Sequence, residues 1–266
     1  MTFQLTQGSS PLLVSIPHMG TEIPSELHAL YAGRALAVED TDWHLDRLYG
    51  FAASLGASVL QPRYSRYVID LNRPPDDTPM YPGASNTELC PTRFFNGEAL
   101  YADGAAPSRE EQLRRRAQYW QPYHDALSGE LARLKREHGF VLQWDAHSIR
   151  SEIPWLFEGV LPDLNIGTAG GASADYAVTD AVAAAAARAP QYTRAVNGRF
   201  KGGYITRNYG RPAEHVHAVQ LEMTQKSYMR EAPPYEYLEE RAAQVQPVLR
   251  SMVEAALQAT RALYGR

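Results

Sequence analysis

Among the 266 residues there is one cysteine, Cys90. One thiol excludes an internal disulfide framework and any cysteine-rich zinc site. A metal in this chain would therefore rest on His, Asp or Glu. Long apolar runs are missing as well. The nearest, Ala181 to Ala189, is alanine-rich, followed by Pro190 and too short to span a bilayer. The start, Met1-Thr2-Phe3-Gln4-Leu5, has no basic stretch leading into an apolar core, so no signal peptide is expected. Excess charge is absent too: a net charge of −4 lacks the basic footprint of a nucleic-acid or anionic-membrane binder. The glycines of Gly167-Thr168-Ala169-Gly170-Gly171 lack the Lys-Ser/Thr ending of a phosphate loop. We expect a cytoplasmic protein, a monomer or small homo-oligomer, whose partner is a small molecule rather than nucleic acid or membrane.

What is present is an ordinary globular composition, 44% hydrophobic and 21% charged, with ample material for a core. The apolar runs Pro11–Ile16 and Phe140–Gln143 predict buried strands. Further strands are expected at Ala57–Leu60, Tyr67–Leu71, Thr193–Val196 and His217–Met223. Leu45, Leu48, Ala52 and Leu55 share a helical period after acidic residues 39–42, and Gly56 closes that helix. Ser108 and Glu111 form a capping box for a helix running to His138, with a break or kink predicted by Pro122. Ser173 starts another helix to about Arg188, and Tyr235–Tyr264 is amphipathic. Strands alternating with helices indicate an α/β fold: one domain over 1–266, with a mixed, largely parallel central sheet and helices on both faces. Residues 74–107 form a long irregular loop whose aromatics Tyr81, Phe94, Phe95 and Tyr101 argue for order near the site.

Two histidines follow apolar runs, His18 after Pro11–Ile16 and His147 after Phe140–Gln143. Strand ends are where open α/β sheets bind ligands. Imidazole is the commonest zinc ligand, and a catalytic zinc keeps three protein ligands and one open position. A carboxylate is the natural third, with Asp42 and Glu22 as candidates. Either histidine alone would more often be a hydrogen-bonded turn residue; the pair, with acids nearby, favours zinc or another divalent metal. Asp145, two residues before His147, shares its strand face and can support the imidazole, or simply cap a loop. Asn72-Arg73 ends the Asp70-Leu71-Asn72-Arg73 string with an amide and a fork suited to a carboxylate, and Arg66 and Arg207 can flank the same cleft. Each arginine could equally be a surface ion-pair partner. Glu222, late in a buried strand, needs a partner; beside an activated water it would serve as general base and then proton donor, the ordinary alternative being a structural salt bridge. The supply of arginines points to an acidic small-molecule substrate. Of the other histidines, His124, His138, His215 and His217 are assigned mostly to structure, while His44, two residues after Asp42, stays open.

Five motifs in order carry a resemblance. They are Ser15–Thr21, Asp40–His44, Ser65–Asp76 (Ser-Arg-Tyr-Val-Ile-Asp-Leu-Asn-Arg-Pro-Pro-Asp), Asp145–Ile149 and Asn197–Arg207 (Asn-Gly-Arg-Phe-Lys-Gly-Gly-Tyr-Ile-Thr-Arg). From about Pro11 to Met229 the chain resembles the N-formylglutamate amidohydrolase family. It is more distantly similar to zinc carboxypeptidase and aspartoacylase-type amidohydrolases. The resemblance implies a zinc-carboxypeptidase/phosphorylase-hydrolase-like fold and metal-dependent hydrolysis of N-formyl-L-glutamate to L-glutamate and formate, the last step of a histidine degradation route. It implies His18 and His147 as metal ligands, Asn72 and Arg73 as a carboxylate clamp, Glu222 as general base, and Arg66 or Arg207 on the oxyanion. Carboxypeptidase-like sites place a ligand Glu three residues after the first His, where this chain has Thr21. Related zinc amidases take the acid from a following helix, which favours Asp42 over Glu22. Family members usually carry His where this chain has Asn208. Two rivals stay open: an amidohydrolase for another N-acyl acidic amino acid, and a non-catalytic protein binding an acidic amino acid on the same fold.

Overall fold

The computed structural model describes residues 1–80 and 86–265, so Tyr81 of the long loop lies outside the described residues. Seven strands form one sheet in the order β1-β3-β2-β4-β7-β5-β6. They are β1 Phe3–Thr6, β2 Leu12–Ser15, β3 Ser58–Pro62, β4 Val141–Ile149, β5 Leu164–Gly167, β6 Arg194–Val196 and β7 Val216–Thr224. The central four, β3-β2-β4-β7, are mutually parallel. β1 runs antiparallel at one edge; β5 and β6 run opposite to the centre at the other. The sheet is thus mixed, with its parallel strands buried in the middle, where such strands read as continuous apolar runs.

Alternation along β4 divides the core. Leu142, Trp144 and Ala146 face a cluster shared with α4 (Tyr176–Ala187) and α6 (Glu239–Leu263). Val141 faces the opposite cluster with Leu127, Leu131 and Leu134 of α3 (Gln121–His138). Gln143, Asp145 and His147 follow Val141 on that second side by the period of two. No helix among the described residues is long and apolar enough to cross a membrane.

Several elements differ from the sequence expectation. The helix expected to end at Gly56 is only α1 (Leu45–Leu48) followed by a 3₁₀ segment at Gly50–Leu55. His44 before it is left-handed, at φ 61°, and the Asp42 N–H is drawn away to the His18 carbonyl, so no helix can start earlier. Tyr67–Leu71 is no strand but a buried irregular turn; the Asp70 N–H donates to Leu89 O of the loop rather than to a strand. A buried apolar run does not by itself reveal which. β5 and α5 (Tyr204–Tyr209) were not expected. Asp175, not Ser173, caps α4; the Ser173 hydroxyl donates to Ala218 O. Ser108 does cap α2 (Arg109–Arg115), accepting from the Glu111 N–H. The helix passes Pro122 without breaking, through a π-helical turn at Arg116–Trp120 just before it. In an α-helix Pro122 would leave the residue-118 carbonyl unpaired and collide with it; the π-turn spans that carbonyl.

Candidate active site

His18 lies three residues past β2, while His147 and Glu222 are register partners on β4 and β7. β4 runs on to Ile149, so His147 sits within the strand rather than after it. Asp42 reaches in from the loop before α1. These three sequence-expected ligands converge: His18, Asp42 and His147 form a buried group whose ligand atoms lie within 4.8 Å of one another. Nδ1 of His147 is 3.2 Å from Nδ1 of His18 and 3.2 Å from Oδ2 of Asp42. The His18 Nδ1 to Asp42 Oδ2 distance is 3.8 Å.

The outer nitrogens explain why these atoms face inward. His18 Nε2–H donates to Asp70 Oδ1 at 2.7 Å, leaving Nδ1 with a bare lone pair. His147 Nε2 lies 3.2 Å from Asp145 Oδ2 and 3.0 Å from the Asn72 amide nitrogen. One tautomer satisfies only one of these contacts. Asp145 is fully buried, its Oδ1 has no hydrogen-bond partner and its Oδ2 otherwise accepts only from the Thr206 hydroxyl. A buried carboxylate so poorly supplied needs the imidazole proton, so Nε2–H points to Asp145 and Nδ1 faces Asp42. Two lone pairs and a carboxylate oxygen then share one small space, which is stable only around positive charge. Ligands about 2.1 Å from a tetrahedral ion are about 3.4 Å apart, close to the observed edges. The donor set and its spacing fit a divalent metal, with Asp70 and Asp145 orienting the imidazoles.

Electrostatics express the same demand. Burial lowers the pKa of His18, and Arg66 adds to the effect. Burial also opposes charge on His147, but Asp145 and then Asp42 outweigh it and hold this pKa well above the ordinary value. Burial pushes the Glu222 carboxyl up to about 8, against the pull of His147 and Arg66. Asp70 would also be raised by burial, yet His18, Arg66 and Arg73 keep it well below the carboxylate range.

The cavity over these groups is lined by His18, His147, Glu222, Arg66, Asn72 and Arg73, all expected from the sequence. Arg66 donates to Asp70 Oδ2 at 2.6 Å, lies 3.7 Å from Asp42 Oδ1 and packs over the Phe95 ring. Arg73 donates to neutral oxygens, Thr87 O and Oγ1 and Asn72 O. The Asn72 carbonyl oxygen of the side chain accepts from the Ile205 N–H at 2.8 Å, at the start of α5.

Glu22 and Arg207 are not brought in. Glu22 forms a half-exposed ion pair with Arg63 and is outside the His18–Asp42–His147 group, because residue 22 follows the chain out towards Tyr64 in an isolated bridge. Arg207 is not among the described residues lining the cavity; its Nε donates to Gly202 O at 2.8 Å. Asn208 lines a separate surface pocket with Ser128 and Lys135. Conversely, Arg199, Phe200, Leu156 and Gln220 line the cavity unforeseen, as does Phe95 of the long loop. Asp70 was quoted within its motif without a role. The signal for it was the symmetry rule that each ligand imidazole needs its own carboxylate. Cys90 is buried with its thiol pushed up to about 12, which removes it as a nucleophile.

Comparison with known proteins shows the family. The family model of the N-formylglutamate amidohydrolases matches residues 10–229. The chain is 51% identical to the N-formylglutamate deformylase of Pseudomonas aeruginosa and 50% identical to that of Pseudomonas putida, in each case over 94% of both chains. A crystal structure of N-formylglutamate amidohydrolase from Ralstonia eutropha superposes with a TM-score of 0.80 at 26% identity, covering 99% of this chain and 98% of that one. An Agrobacterium tumefaciens gene product shares the fold, with a TM-score of 0.71 at 19% identity over 97% and 95% of the two chains. This chain belongs to the N-formylglutamate amidohydrolase family.

Proposed function

We propose that the chain hydrolyses N-formyl-L-glutamate to formate and L-glutamate, using zinc held by His18 Nδ1, His147 Nδ1 and Asp42. The observation that carries this reading is the convergence of those three ligand atoms beside Glu222 in one cavity. When bound there, a divalent ion supplies Lewis-acid polarisation of the formyl carbonyl and lowers the pKa of water. Glu222 takes the proton from the attacking water and passes it to the departing amine nitrogen. A carboxyl whose proton affinity burial has raised to near neutrality suits both steps. Arg66, clamped by Asp70 and Asp42, presents a fixed guanidinium at the cavity wall for the developing oxyanion.

Arg73 and Asn72 hold a substrate carboxylate. Arg73's donors rest on neutral oxygens, so its charge is available to an anion entering the cavity. Arg199, on another stretch of the wall, donates to the Leu156 carbonyl and supplies the second cation that a dianionic substrate needs. Arg207 is assigned no contact with the reacting atoms. We place the protein in the cytoplasm, as a monomer or small homo-oligomer, at the end of a histidine degradation route. The test is L-glutamate release by zinc-loaded protein from N-formyl-, N-acetyl- and N-succinyl-L-glutamate, with formate, acetate or succinate as the respective co-product. The expected result is turnover of the formyl substrate only. Turnover of another acyl group in its place identifies the rival amidohydrolase. A folded protein that binds no stoichiometric metal and releases nothing overturns the enzyme reading.

A further inference from the structure

The Val68–Arg73 segment carries two cavity-lining groups, Asn72 and Arg73, on irregular chain with no strand ladder. Its carbonyls must find other donors if they are to be buried. Three come from the single helical stretch running from Arg109 to His138. Arg115 Nη1 donates to Val68 O at 3.1 Å, His124 Nε2 to Leu71 O at 2.9 Å and Trp120 Nε1 to Arg73 O at 3.1 Å. The Trp120 ring stacks on His124 with centroids 3.6 Å apart. His124 Nδ1 accepts from the Tyr209 hydroxyl at 2.9 Å, which ties the same residue to α5, the helix whose Ile205 amide holds the Asn72 side chain.

A regular α-helix could not present these donors together. At about 100° per residue, Arg115 and His124, nine residues apart, would lie on opposite faces. The π-turn at Arg116–Trp120 acts as a one-residue insertion and takes back about 100°. Arg115, Trp120 and His124 then step along one side of the helix, all towards residues 68–73.

We propose that this π-turn is a positioning device for the substrate clamp, and that Trp120 and His124 are positioning residues for Arg73 and Asn72. The proposal rests on the clamp reading given above. Trp120 fixes the carbonyl of Arg73 itself, so the direction of that side chain depends on the indole N–H. Trp120→Phe keeps a ring on His124 and removes the donor, together with part of the buried indole volume, which the Tm measurement reads separately.

The experiment measures kcat, KM for N-formyl-L-glutamate, bound zinc and Tm for wild type, Trp120→Phe, Arg73→Ala and the double variant. Arg73→Ala is expected to raise KM about 10- to 100-fold. Trp120→Phe should raise KM about fivefold to tenfold, with kcat within about twofold and zinc unchanged. In the Arg73→Ala background the same change should alter KM less than about twofold, because the two act on one contact. An unchanged KM in Trp120→Phe, or an equal rise with Arg73 already gone, overturns the inference. A lowered Tm without a KM effect does so too, assigning Trp120 to structure alone. Arg73→Ala without a KM effect removes the clamp reading itself. If wild type releases no formate, the proposed reaction fails, and the same four proteins titrated with L-glutamate decide the inference by the same non-additivity.

Discussion

The two halves of the site rest on different kinds of backbone. The metal-binding half stands on the parallel centre of the sheet: His147 on β4, Glu222 opposite it on β7, and His18 just past β2. Ladder hydrogen bonds fix His147 and Glu222 whatever the side chains do, and His18 sits in the turn directly after β2. The substrate half, Arg66 to Arg73 with Thr87 and Phe95, stands on irregular chain, and side chains supply its missing hydrogen bonds. Asp40 shows how: its carboxylate accepts from the Phe95 N–H at 2.9 Å and the Tyr67 hydroxyl at 2.8 Å, and from Arg150 at 2.8 Å. Reactive groups thus stand on the sheet and recognition groups on a loop pinned by side chains.

If that division holds, the largest loss comes from the rigid half. His147→Ala removes one ligand and the partner of Asp145. It should abolish zinc binding, read by elemental analysis, and lower kcat/KM by at least about 10³-fold, with the chain still folded. Chelation of the wild type should do the same reversibly, with activity returning on added zinc. Retained zinc with lost activity would break the assignment of His147 as a ligand.

Glu222→Gln comes next and separates proton transfer from metal binding. We expect kcat to fall about 10²- to 10⁴-fold with zinc content unchanged. Stability should hold or rise, because a neutral amide avoids the burial cost that pushes the Glu222 carboxyl up to about 8. A large fall in Tm would instead make Glu222 a structural ion-pair partner.

Asp70→Asn tests the seam between the halves, since Asp70 takes the His18 Nε2 proton and also anchors Arg66. A weaker acceptor should reduce zinc affinity about 10- to 100-fold, measured by competition with a chromogenic chelator. It should also raise KM if Arg66 is loosened. Loss of one effect without the other would show that Asp70 serves only one half.

The same division explains what the sequence reveals. β2, β4 and β7 announce themselves as apolar runs, and the period of two puts Asp145 and His147 on one face. The metal half was therefore legible down to Asp42, which the motif comparison favoured. The substrate half carries no period. Tyr67–Leu71 is buried throughout and reads as a strand, although its amides and carbonyls pair with a loop and a helix. The short Leu164–Gly167 run gave no strand signal between Pro162 and the glycines. Arg199 sits in a glycine-rich motif, where nothing periodic says which way it points. Pro122 did mark the unusual turn in the long helix, but not that the turn would be π-helical.

The smallest expected effect is the sharpest control on coordination. Glu22 and Asp42 are both carboxylates that could follow His18 as a ligand; the motif comparison favoured Asp42, and the geometry separates them in the same sense. Glu22 holds Arg63 at 2.8 Å, with both side chains about half exposed. Such a solvated pair contributes little to stability. Its carboxyl is held below the ordinary range by the Arg63 hydrogen bond, but it stands in water rather than beside the imidazoles. Glu22→Ala should therefore leave zinc stoichiometry and kcat/KM within about twofold of wild type, with Tm essentially unchanged. Asp42→Ala should lose the zinc. A protein that kept zinc without Asp42 and lost it without Glu22 would mean that the loop before α1 rearranges on metal binding, and the rigid half would then not be rigid at its third ligand.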